Sequence, residues 1–106
     1  MELYTKESLK EVIEKSKDEF YMPKALFDHY KSLRLETKLA YVSILETMKN
    51  KAGYTTENTA YIQVNLAKLA NKEVNQEKVN KYLKELEEVE LIKVDKQNIF
   101  VYDVLS

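Results

Sequence analysis

The chain has 106 residues, 44% of them hydrophobic and 33% charged, which suffices for one modest core and is too little for two independent domains. It contains no cysteine, so a disulfide framework, a thiolate metal site and a thiol nucleophile are all excluded, and a reducing compartment suits it. A formal net charge of −1 argues against a protein that grips nucleic acid by bulk positive charge.

The charge is unevenly distributed. Residues 24 to 51 carry six basic and three acidic side chains, and residues 61 to 84 carry five and two, so each segment sums to +3. Residues 1 to 20 sum to −2, and residues 85 to 106, with Glu85, Glu87, Glu88 and Glu90, sum to −4. Any surface that faces phosphate must therefore come from the middle of the chain. Met1 to Lys6 lack the basic-then-apolar pattern of a secretion signal, and no apolar run approaches membrane-spanning length. The expected location is cytoplasmic, with no membrane partner.

In chain order, Thr5 can cap a helix whose Leu9, Val12 and Ile13 recur at helical spacing, ending near Lys17. Pro23 disfavours helix at Met22 but suits the start of a short turn of helix over 24–29. Leu35, Leu39, Val42, Leu45 and Met48 mark one face of a long central helix that runs to about Lys51, with Gly53 available to end it. Thr55, Thr56, Asn58 and Thr59 read as a loop, and Ala60 to Gln63 as a small strand. Leu66 and Leu69 carry the next helix, which breaks around Asn71 to Asn75. Asn75 is a good cap for a helix with Val79, Leu83 and Leu86 on one side, ending near Glu90. Leu91 to Asp95 and Ile99 to Val104 are β-rich runs joined at Lys96, Gln97 and Asn98, a hairpin signal. The order predicts an α+β, mostly α fold: a winged helix-turn-helix over 20–106 with a C-terminal β-hairpin wing, preceded by an extra amphipathic helix within 1–19.

Three segments carry a family resemblance: the run from Phe20 through Tyr21, Met22, Pro23, Lys24, Ala25 and Leu26 to Phe27, then Tyr30 to Leu33, then Thr37 to Tyr41. They resemble the opening signature of the N-terminal domain of the RepA family of plasmid replication initiators. The stretch from Tyr82 to Ile92 is similar to the segment that leads into the wing of that family, although many winged helices share it. The resemblance covers residues 18 to 104 and implies recognition of repeated double-stranded origin sites, as a homodimer, to begin plasmid replication.

With Val79, Leu83 and Leu86 turned inward, helical periodicity points Lys81 outward, flanked by Asn80, Lys84 and Glu77, with Lys78 to one side. Asn and Gln pair bidentately with adenine, and Lys donates to guanine or to phosphate. The candidate DNA-binding residues are therefore Asn75, Gln76, Lys78, Asn80, Lys81 and Lys84 on the helix, Lys93 and Lys96 on the hairpin, and Arg34 and Lys38 as backbone contacts from the central helix. The plain alternative for this helix is a solvated charged face that binds nothing. Most of the eight tyrosines, Tyr41 and Tyr82 among them, read as core or interface rings.

One histidine, His29 beside Asp28, does not furnish a transition-metal site, so no cofactor is expected. A single glycine builds neither a phosphate loop nor a nucleophile elbow, and no catalytic constellation or small-molecule substrate is expected. A rival to DNA binding is a protein-interaction winged helix, with the first helix, burying Leu9, Val12 and Ile13 against a partner or its own core, as the dimerisation element.

Overall fold

The structure is a computed structural model and describes residues 1–50, 55–56 and 59–105. Thr5 opens the first helix, α1 (Lys6–Lys15): its hydroxyl accepts from the Ser8 amide while the Ser8 hydroxyl accepts from the Thr5 amide, a reciprocal cap that satisfies two donors at the helix start. Leu9 and Val12 face inward from α1. Pro23 lies in extended backbone and leads into α2 (Lys24–His29), which buries Leu26. The central helix α3 (Leu35–Asn50) buries Leu39, Ala40, Tyr41, Val42, Ile44, Leu45 and Met48, so it is covered on nearly all sides. Two of its buried hydroxyls are satisfied within the helix, Ser43 donating to the Leu39 carbonyl and Thr47 to that of Ser43. Leu35, read as the first member of the apolar face, is instead exposed. The expected helix end at Gly53 lies outside the described residues, as does the loop position Asn58.

The segment after α3 corrects two expectations. Thr55–Thr56 is a strand, β1, and Ala60 to Gln63 are not a strand but the first turn of α4 (Ala60–Ala70). Ile62 and Leu66, four residues apart, are both fully buried, and that shared face outweighs the β preference of Tyr61, Ile62 and Val64. Asn71 in the left-handed region (φ 53°) ends α4, with the Lys72 amide reaching back to the Ala67 carbonyl.

Helix α5 (Gln76–Glu88) starts at Asn75, whose side chain accepts from the Lys78 amide at 2.9 Å, a cap that stabilises by about 1 kcal/mol. It buries Val79, Tyr82, Leu83 and Leu86. At its end Glu90 takes φ 61°, the Glu90 amide donates to the Glu87 carbonyl and the Leu91 amide to that of Leu86, which closes the last turn. The hairpin follows as β2 (Ile92–Asp95) and β3 (Asn98–Val101), with Asp95 paired to Asn98 and a two-residue loop whose Lys96 is also left-handed (φ 58°). The sheet order is β1-β3-β2, antiparallel throughout.

Helix, strand, helix, turn, helix and hairpin in this order make a winged helix, mostly helical, with an added N-terminal helix. That addition shares the domain's core: Tyr4, Leu9 and Val12 pack in one cluster with α3, α5 and the hairpin. Leu3 bridges Tyr102, the Tyr4 amide donates to the Val101 carbonyl, and the Asp103 amide to that of Glu2. Of the two expected uses of the α1 face, against a partner or against the chain's own core, Leu9 and Val12 take the second, with Ile13 half-buried against the same core. No helix among the described residues is long and apolar enough to cross a membrane.

Candidate nucleic-acid interface

The helix-turn-helix is set by a relay of short side chains. The Thr59 hydroxyl, at the start of α4, donates to the Gln76 carboxamide oxygen, the Gln76 amide nitrogen donates to Gln63, and the Gln63 nitrogen donates to the Val74 carbonyl at 2.6 Å. Gln76 therefore joins α4 and α5 with both ends of its carboxamide, so that as an adenine reader it would exchange these partners for the base. Asn75 is likewise occupied, as the cap of α5. Thr59 and Gln63 went unread in the sequence because their partner lies more than a dozen residues downstream.

The other side of α5 is tied to α3. Arg34 pairs with Glu85 at 2.9 Å, and the Thr37 hydroxyl donates to the same carboxylate. Arg34, expected at a phosphate, is thus engaged in the scaffold, with its side chain 45% exposed. Lys38 is corrected more sharply: it is buried, with its ammonium 5.6 Å from the centre of the Phe27 ring, so it braces α2 against α3 through a cation–π contact. Beside this network burial pushes the Tyr82 hydroxyl above its ordinary range, and Glu36 adds to the shift.

Exposed on α5 are Gln76, Glu77, Lys78, Asn80, Lys81, Lys84, Glu87 and Glu88. Lys78, Lys81 and Lys84 form no ion pair with any described residue within 4.0 Å. A shallow concavity along the outer face is lined by Glu77, Asn80, Lys81, Lys84, Glu85 and Glu88. A second cleft, between α5 and the hairpin, brings Asn80, Lys84 and Glu87 together with Val94, Lys96 and Ile99. Lys96 thus joins the helix residues at one surface. Lys93 is exposed on β2 and lines neither hollow. Carboxylates alternate with the lysines, and the acids gather at the C-terminal end of α5, where the last turn holds no basic residue against the negative pole of the helix.

Chemically this surface offers amide and ammonium donors, one amide acceptor and carboxylate acceptors on a rigid helix, a set matched to the edges of base pairs. Comparison of the chain with protein families, with curated proteins and with solved structures finds no match.

Proposed function

We propose that the domain is a double-stranded DNA-binding module of the cytoplasm, not an enzyme, with the N-terminal half of α5 in the major groove and the hairpin beside the backbone. The observation that supports this most is the set Lys78, Asn80, Lys81 and Lys84. These side chains are exposed on one helix and free of ion pairs with described residues, and two of them, Asn80 and Lys84, share a cleft with Lys96. Asn80 and Lys81 read base edges, while Lys84, Lys96, Lys78 and Lys93 contact phosphate. The narrower form of the proposal, origin recognition at repeated sites by a homodimer in plasmid replication, rests on the sequence resemblance to the RepA family.

Fluorescence anisotropy with random-sequence and repeat-containing duplexes at two salt concentrations tests it. Binding that weakens steeply with salt and favours one sequence is expected. A second reading, a protein-interaction winged helix, is favoured by the carboxylates Glu77 and Glu88 that share the concavity with Lys81 and Lys84. Absence of binding to either duplex at low salt selects it.

A further inference from the structure

Glu77 is the one feature of the reading face that phosphate binding leaves unexplained. It is exposed in the first turn of α5 and lines the same concavity as Asn80 and Lys81. Glu85, in the same hollow, is held by Arg34 and Thr37, and Glu88 closes the far end of the helix. Glu77 alone among these carboxylates lies in the half of α5 that enters a groove. A carboxylate there is repelled by the polyanion unless it finds a donor. The major groove offers two exocyclic amines. In an A·T pair the adenine amine is flanked on both sides by acceptors, its own N7 and the thymine O4, whereas in a C·G pair the cytosine N4 amine has an acceptor on one side only, the guanine O6, and C5–H on the other. Lys81 follows Glu77 by about 6 Å along the helix axis, close to two base-pair steps, and donates to the O6 and N7 acceptors of guanine.

We infer that Glu77 is a base reader that accepts a hydrogen bond from a cytosine, so that the ligand is a duplex with a C·G pair at a fixed position and guanine within reach of Lys81. This rests on the duplex-binding reading above. It also accounts for the near-neutral face: affinity is drawn from base edges, and a carboxylate on the helix suppresses binding to sequences that offer it no amine.

The test is selection from a random-sequence duplex pool at low salt with the full chain and with Glu77→Ala and Glu77→Gln. The wild type is expected to enrich sites with one invariant C·G pair. Glu77→Ala erases that preference, a loss of about 10- to 100-fold in discrimination, and binds the unselected pool about two- to fivefold more tightly once the charge is gone. Glu77→Gln moves the preference at that position towards adenine. If the wild type enriches nothing, the duplex-binding reading and this assignment fall together. If it enriches a site without a fixed C·G pair, or if Glu77→Ala returns the wild-type consensus with only a lower melting temperature, Glu77 merely complements the helix dipole and the assignment alone is overturned.

Discussion

The basic residues of α3 and its approach and those of α5 lead opposite lives. Arg34 is paired with Glu85, Lys38 is buried over Phe27, and Lys49, its side chain 7% exposed, donates to the Ser16 carbonyl at 2.7 Å, the Glu19 carbonyl at 3.1 Å and the Glu46 carboxylate at 2.9 Å. Lys78, Lys81 and Lys84 stand in solvent with no such partners among the described residues. Both segments carry the same charge excess in the sequence, yet Arg34, Lys38 and Lys49 tie α5, α2 and α1 to the central helix while Lys78, Lys81 and Lys84 stay in solvent. Charge counts along a chain locate cations. They do not say which of them the fold has already used.

Substitutions can break this contrast at several depths. Leu86→Ala, which empties a fully buried site where α5 meets the core, is expected to cost about 2–5 kcal/mol and to abolish any binding by α5, as chemical denaturation and anisotropy would report. Lys49→Ala removes the donor that the Ser16 and Glu19 carbonyls share at the α1–α3 contact and is expected to cost about 1–3 kcal/mol, read as a lower denaturation midpoint. High pH probes the same scaffold. Burial, then Tyr4 and Asp103, raise the Tyr41 hydroxyl far above its ordinary 10.0, and burial followed by Asp103 raises Tyr4 likewise. The unfolded chain therefore loses these protons first, so the stabilisation is complete below pH 10 and declines above it, by about 1.4 kcal/mol per pH unit for each tyrosine. A denaturation series from pH 8 to pH 11 checks this, and an unchanged midpoint above pH 10 would count against it.

Glu90→Gly relieves a side chain held at positive φ and is expected to stabilise by about 1 kcal/mol, visible as a raised melting temperature. The smallest change in stability is also the most diagnostic. Lys84→Ala should alter stability by less than about 0.5 kcal/mol while lowering the salt slope of duplex binding by about one. Lys38→Ala should do the reverse, costing about 1 kcal/mol and leaving that slope intact.

Most of the architecture was legible in local chemistry. Thr5 and Asn75 are caps in fact as in expectation, Pro23 precedes a helix, and the spacing of Val79, Leu83 and Leu86 marks the inner face of α5. Of the two misread stretches, 55–56 becomes a strand by pairing with β3, and 60–63 carries strand-forming residues on a helix whose identity comes from burial of Ile62 and Leu66, tertiary effects no window of neighbours contains. The site divides the same way. Periodicity placed Asn80, Lys81 and Lys84 outward, and all three are exposed. It had no means of foreseeing that Gln76 meets Gln63 and Thr59, that Arg34 meets Glu85, or that Lys38 lies over Phe27, because each partnership spans a turn or a whole helix in space.

The bridge between Leu3 and Tyr102 brings the segments around residues 3 and 102 side by side, with the Asp103 amide bonded to the Glu2 carbonyl. Tension applied at the two extremities therefore peels these contacts apart one after another instead of shearing them together, and the first thing it extracts from the interior is Tyr4. Mechanically the molecule is a zip fastened at its mouth: the bridge at Leu3 and Tyr102 opens before load reaches the contacts of the central helix.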